Sequence, residues 1–281
     1  MTKCLLLAGQ QYRGNSKLDC RIIVVTSGKG GVGKTTTTAN LAAALAKEGY
    51  KVVAIDGDVG LRNLDVIMGL ENRIVYTLID VVEGTCRLNQ ALIKDKRIEN
   101  LYLIPTAQSR TKDSVSADQM LSLCEELRKE FDFVLIDSPA GIESGFHNSA
   151  IGADEAIVIT TPEVSAVRDA DRIIGLLESM EKAPIRLVIN RIKPEMVSRG
   201  EMLDVQDVLD ILAVDILGIV PDDESIVTSA NKGEPLTLGS TSQAAKAYSN
   251  ISKRIIGEEV PILNLSSESK GFFSRLFGRK K

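Results

Sequence analysis

Residues 28–35 read Gly28-Lys29-Gly30-Gly31-Val32-Gly33-Lys34-Thr35, which fits the phosphate-loop pattern G-x-x-x-x-G-K-[ST] without a mismatch. The run in front of it, Arg21–Thr26, holds Ile22, Ile23, Val24 and Val25 in succession and reads as a strand buried on both faces. Behind it, Thr35–Lys47 is rich in Ala and Leu and stops at Gly49, the pattern of a helix with a glycine cap. Strand, glycine loop and helix in this order are the setting the motif requires. Glycines let successive backbone N–H groups turn inward around phosphate oxygens, and the helix start directs its positive dipole end at the same anion. Lys34 is expected to reach the β- and γ-phosphates and the Thr35 hydroxyl to ligate magnesium, with Thr36 completing the loop. The ligands implied are ATP and Mg2+.

Outward from the loop, short apolar runs bounded by Gly, Pro, Asp or Asn recur at Lys51–Ile55, Leu101–Pro105, Phe131–Ile136, Glu155–Thr160, Ile185–Ile189 and Asp215–Val220. Helical patterns lie between or after them, at Ser116–Lys129, Ala170–Met180, Met202–Leu212 and Gln243–Ile256. Such alternation predicts an α/β fold, a doubly wound, mostly parallel sheet flanked by helices. Aromatics make up only 4% of the 281 residues and Trp is absent, so Ile, Val, Leu and Ala must fill the core, which suits strands covered on both sides. No linker divides 21–258, which reads as one domain. Residues 1–20 read as a flexible extension, 259–269 as a linker and 270–281 as a separate segment.

Four cysteines at 4, 20, 86 and 124 form no C-x-x-C pair, and His147 is the single histidine, so local spacing supports no zinc or iron–sulfur site. A reduced compartment is the simpler reading. No apolar run approaches the roughly 18–20 residues that cross a bilayer.

Three further acids stand where ligands of such sheets bind, at or just past the carboxyl ends of strands. Phe133-Val134-Leu135-Ile136-Asp137 has the form of a Walker B strand whose aspartate holds magnesium. Ile55-Asp56-Gly57-Asp58 ends the second strand, and alternation suggests that both acids address the crevice. Asp58 is the candidate for orienting the attacking water, and it joins Thr35 and Asp137 as a candidate metal-site residue. With Lys34 and Lys29 offsetting charge on the phosphates, Lys29, Lys34 and Asp58 form the candidate catalytic set.

The loop with its second lysine, Lys29-Gly30-Gly31-Val32-Gly33-Lys34-Thr35, resembles the deviant-Walker (ParA/MinD) P-loop ATPases. The strings Asp56–Asp65 and Asp137–Glu143 resemble the two switches of that family's septum-site-determining members. Thr161–Arg172 resembles the segment leading into their partner-docking helix. The resemblance runs from about Arg21 to Lys281. It implies an ATP hydrolase that dimerises on ATP, with Lys29 reaching across to the partner's phosphates. It implies a MinE-like activator and, in a bacterium, a MinC-like division inhibitor. Asn190-Arg191 resembles the adenine-contacting pair of the family, and an amide suits a base edge with its donor and its acceptor. Pro221-Asp222 would line the adenine side or simply cap a helix. Asp169 is expected to contact partners. The extension 1–20 departs from the bacterial pattern, which leaves bacterium and plastid both open.

The segment Lys270–Lys281 carries five basic residues and no acidic one, leaving the rest of the chain at formal charge −9 out of a total of −4. At 100° per residue Phe272, Phe273, Leu276 and Phe277 share one arc flanked by Arg275 and Arg279. A basic, aromatic, amphipathic C-terminal helix predicts an interfacial anchor on an anionic membrane surface. Twelve residues at about 1.5 Å each are too short to span. One tail would bind weakly, and two on a dimer would bind with avidity. The expected place is the inner face of the cell membrane or the stromal face of the plastid inner envelope. A DNA-partition ATPase wants a basic body, and no nucleic-acid partner is expected of this acidic one. A cluster carrier wants paired cysteines, and a scaffold without turnover has no use for Asp58.

Overall fold

The structure, a computed structural model, describes residues 19–108 and 114–263. The amphipathic tail and most of the N-terminal extension lie outside the described residues. Among the described residues eight strands form one sheet: β1 Arg21–Thr26, β2 Val52–Asp56, β3 Ile93–Lys94, β4 Leu101–Ile104, β5 Phe133–Asp137, β6 Glu155–Thr160, β7 Ile185–Ile192 and β8 Asp215–Pro221. Their order is β3-β4-β2-β5-β1-β6-β7-β8. All pairings are parallel except β3 with β4.

The alternation of side chains across the sheet splits the core in two. Ile22 and Val24 face a layer built on helices Ala117–Leu127, Ser144–Ile151, Val164–Ser179 and Val205–Leu212. Ile23 and Val25 face helices Lys34–Lys47 (α1) and Gln243–Ile255. Each β1 residue from Ile22 to Val25 is fully buried, which is why these strands read as continuous apolar runs. α1 lies close to the sheet because Ala39, Ala42, Ala43 and Ala46 present little bulk, and Tyr248 fills the remaining gap with its hydroxyl 3.3 Å from Thr37 Oγ1.

All seven strands anticipated from composition occur, within a few residues of the expected bounds. Two helices begin elsewhere. The expected Ala170–Met180 helix starts at Val164, six residues earlier, because the chain turns directly out of β6 through Pro162. The Met202–Leu212 helix starts at Val205, where Asp204 accepts a hydrogen bond from the Asp207 N–H at 2.7 Å and sets the boundary. Helix Glu224–Asn231 buries no residue and so lacks the apolar stripe that announces a helix. Helix Ser144–Ile151 is short and rich in Ser, Gly and Asn, and it too escaped a reading by pattern. Among the described residues no helix is long and apolar enough to cross a membrane.

The seven parallel strands β1, β2, β4, β5, β6, β7 and β8 bring their carboxyl ends to one edge. β1 lies between β5 and β6, where the winding reverses direction, and a crevice opens above its end.

Candidate nucleotide site

The phosphate loop closes on itself before any ligand is needed. Ser27 Oγ donates to the Lys29 carbonyl at 2.8 Å, and Thr37 N donates to the Gly33 carbonyl at 2.9 Å. Gly33, the residue preceding α1, sits at φ 101°, a left-handed conformation that a side chain strains. A Cβ there would also lie 2.3 Å from the Asn190 amide nitrogen. Gly33→Ala is therefore expected to weaken Mg-ATP binding by roughly 100-fold, the equivalent of about 1–3 kcal/mol of backbone strain plus the clash. Titration calorimetry beside an unchanged circular dichroism spectrum checks it; unaltered affinity would show that the loop tolerates the side chain.

Lys34 is buried at the start of α1, and Thr35 follows at the mouth of the crevice. Asp137 ends β5 fully buried beside them, accepting a hydrogen bond from Thr38 Oγ1 at 3.3 Å. Burial pushes the Asp137 carboxyl up to about 7, against the opposing pull of the Thr35 hydroxyl and the Lys34 ammonium. In the sheet register Asp56 is the direct neighbour of Asp137. Burial, with Asp137 as the next contributor, pushes Asp56 up to about 8. Two carboxyls in a dry pocket call for a cation. The donors available for it are hard oxygens, which suit magnesium completed by phosphates and water. Among the described residues no three His, Cys, Asp or Glu form an all-protein cage, as magnesium sites of this kind do not require one.

Asp56 and Asp58 have separate fates. β2 ends at Asp56, so strand alternation does not extend to Asp58. The Asp56 carboxylate turns inward and accepts from the Asp58 N–H at 3.1 Å and the Leu64 N–H at 3.3 Å, which pins both ends of the 58–64 turn. Asp58 is left half-buried at the crevice, close enough to Asp137 to raise its pKa.

Lys29 stands exposed at the loop tip, its Nζ 3.4 Å from Glu163 Oε2 and 3.2 Å from Ser165 Oγ. An exposed pair of this kind contributes roughly 0–1 kcal/mol and exchanges readily for a stronger anion. Asp169 lies behind the loop: a Cβ on Gly28 would come within 2.2 Å of the Asp169 carbonyl oxygen. The loop and helix Val164–Ser179 are thus packed backbone to backbone.

Beyond the loop opens a cavity of about 910 Å³, lined among others by Gly33, Thr36, Asn190, Arg191 and Asp222. Asn190 is buried, donating to the Val32 carbonyl at 2.8 Å and accepting from the Arg191 N–H at 2.9 Å. Each amide group keeps a second valence for a base edge. Arg191 is held at φ 56° where β7 departs from regular pairing with β8. Pro221 is buried at the end of β8. Asp222 pairs with Lys193 at 3.0 Å, and it is the next residue, Asp223, that caps helix Glu224–Asn231 through the Ser225 N–H at 2.9 Å. The capping alternative for Asp222 therefore falls to its neighbour. Lys193 and Glu163 went unread because their partners are distant in sequence.

Residues 23–236 match the family model described as the CobQ/CobB/MinD/ParA nucleotide binding domain. The chain is 56% identical over 257 residues to the septum site-determining protein MinD of Synechocystis, covering 91% of this chain and 97% of that one. The chain belongs to the MinD family of P-loop ATPases. Two solved structures of MinD proteins share its fold. The MinC:MinD cell division protein complex of Aquifex aeolicus is 48% identical with TM-score 0.82, over 87% of this chain and 99% of that one. The MinD complexed with Mg-ADP from Pyrococcus horikoshii is 29% identical with TM-score 0.76, over 85% and 96%. This MinD-family chain is a nucleotide-binding ATPase of division-site placement.

Proposed function

We propose that the chain is a membrane-surface switch: it binds Mg-ATP, dimerises across the nucleotide, engages anionic lipid through residues 270–281, and leaves the membrane on hydrolysis. The observation that carries this reading is the position of Lys29, an exposed ammonium at the tip of a loop whose own cradle is served by Lys34. A second copy facing the loop would offer its phosphates to that ammonium. Exposed Leu61 and Ile142, from the two switch segments, supply apolar surface on the same side.

In the hydrolysis step magnesium supplies charge neutralisation on the phosphate oxygens. Thr35 and Asp137 would hold the ion, and Asp58 orients the water that attacks in line. Lys34 and the partner's copy of Lys29 offset the negative charge that builds on the phosphates. Loss of the γ-phosphate removes the anion that holds Lys29 across the interface, and the dimer loosens. Asn190, Arg191, Pro221 and Asp222 serve the adenosine end. The MinC:MinD complex of a relative supports a MinC-type partner; Asp169 is our candidate for contacting it. A MinE-like activator follows from the family resemblance. The membrane is the inner face of a bacterial cell or the stromal face of a plastid envelope.

Sedimentation with anionic vesicles tests the switch. The wild type is expected in the pellet with ATP and in the supernatant with ADP. Phe273→Glu is expected to bind ATP with unchanged affinity yet lose at least tenfold in vesicle partitioning, since a charge replaces an apolar contact. Equal pelleting of both proteins would remove the tail from the mechanism, and stimulation of turnover by DNA instead of lipid would favour a partition ATPase.

A further inference from the structure

Past helix Gln243–Ile255 the chain follows a fixed course that has no part in the nucleotide site. Gly257 sits at φ 89°, its N–H donates to the Arg254 carbonyl at 3.1 Å, and the Glu258 N–H donates to the Lys253 carbonyl at 2.9 Å. This pair of bonds closes the helix and reverses the chain, bringing it back over the Arg254 side chain. There Arg254 Nε donates to the Val260 carbonyl at 2.8 Å and Nη2 to the Pro261 carbonyl at 2.7 Å. The remaining nitrogen, Nη1, donates to the Leu217 carbonyl of β8 at 2.7 Å. All three partners are backbone carbonyls, and none is a carboxylate.

Strand β8 is prepared for this contact. In its pairing with β7, Leu187 stands opposite Ile216 and Val188 opposite Gly218, so Leu217 is an extra residue without a place in the ladder. A Cβ on Gly218 would lie 2.4 Å from Ile251 Cγ1 and 3.2 Å from Arg254 Nη1, so glycine lets the helix and its arginine approach the strand this closely. β8 is the last strand of the sheet. Leu263 packs against both core layers, which lie on opposite faces of that sheet. A side chain can touch both layers only by lying at an edge. Residues 257–263 are thus pinned along the β8 edge, and the spacer to the amphipathic segment starts from a fixed point.

We propose that Arg254 is a positioning residue for the membrane segment: it clamps the root of the tail to the sheet edge and so limits the spacer before Lys270 to residues 264–269. This deepens the membrane-surface reading and rests on it. A spacer of that length extends at most about 20 Å, whereas freeing 258–263 as well would double the reach to about 40 Å. The gain from a second tail depends on its effective concentration at the surface, which falls roughly as the −3/2 power of tether length. A doubled tether therefore lowers the avidity of the ATP-bound dimer about threefold and leaves the binding of a single tail untouched.

Vesicle sedimentation of the full-length chain tests the clamp. Arg254→Ala is expected to need about threefold more anionic lipid than the wild type for half-maximal pelleting in ATP, with Mg-ATP affinity and lipid-free turnover unchanged. Hydrogen exchange at the 258–263 amides should quicken in the same variant, a readout that a change in lipid contact alone would not move. Arg254→Lys should behave like the alanine variant, because one ammonium cannot hold three carbonyls that a planar guanidinium spans. A Gly-Ser insertion after Leu263, equal in length to 264–269, keeps the clamp and doubles the spacer. It should reproduce the loss of pelleting while exchange at 258–263 stays slow. That insertion alters no residue of the folded domain, so it carries the test even where Arg254→Ala folds poorly. The clamp is overturned if Arg254→Ala pellets as the wild type does, or if Arg254→Lys does so, which would make the side chain a lipid-facing charge. It is equally overturned if exchange at 258–263 is unaltered in Arg254→Ala, or if the insertion leaves pelleting unchanged. Wild-type protein that fails to pellet with ATP would bring down the membrane reading itself, and this positioning role with it.

Discussion

Lys29→Ala is expected to reduce lipid-stimulated ATP turnover by about 10³-fold or more, the scale of a cation supplied across an interface in phosphoryl transfer. ATP-dependent dimerisation and vesicle recruitment should disappear with it. Binding of Mg-ATP to the single chain should survive, because Lys34, the loop amides and the dipole of α1 are untouched. The contrast is the diagnostic part. A lysine acting within its own site would lower nucleotide affinity, whereas one acting across a dimer lowers assembly. The Glu163 and Ser165 contacts do not oppose this outcome, since an exposed pair is weak beside a multiply charged phosphate. Sedimentation equilibrium in ATP and in ADP, beside calorimetry, separates the two effects. Normal dimerisation by the alanine variant would refute the in-trans role.

The second large effect concerns the buried carboxyls. Asp137 is raised to about 7 and Asp56 to about 8, in both cases chiefly by burial. A carboxyl with a raised folded-state pKa binds its proton more tightly in the folded chain than in the unfolded one. Between pH 4 and pH 8 the folded state thus holds more protons, and stability without magnesium falls as pH rises. Asp137→Asn keeps the shape and removes the charge. At pH 8 in chelator the variant is expected to be more stable by about 1–3 kcal/mol, a rise of several degrees in Tm. At pH 5 the gap should close. Turnover should fall at least 10³-fold, because Asp137 is the carboxylate that would hold the metal. Melting curves at both pH values, beside a hydrolysis assay, test the pair of outcomes together. An asparagine variant no more stable than the wild type at pH 8 would mean that the pocket is better solvated than its burial suggests.

These expectations join two kinds of information, and the residues show where they divide. Residues 21–47 could be read directly as strand, loop and helix. A phosphate cradle is made from consecutive backbone amides, and the glycines that permit it are consecutive too. The same holds for β5 ending in Asp137, since a strand covered on both faces must be apolar throughout. The lack of cysteine pairs and the acidic body narrowed the class further, by removing the groups that rival chemistries need.

The sequence by itself thus determined the doubly wound class, the phosphate loop, the aspartate at the end of β5 and the amphipathic character of the last twelve residues. All of these are written in neighbouring positions. Only the tertiary structure decided that Asp56 turns inward while Asp58 faces the crevice, because that depends on where β2 stops. It alone set Lys29 beside Glu163, 134 residues away, and gave the helix cap to Asp223, where capping by Asp222 had been one of two alternatives. Helices that bury nothing carry no periodic stripe, and contacts between distant segments are fixed by strand order and register, which no local pattern records.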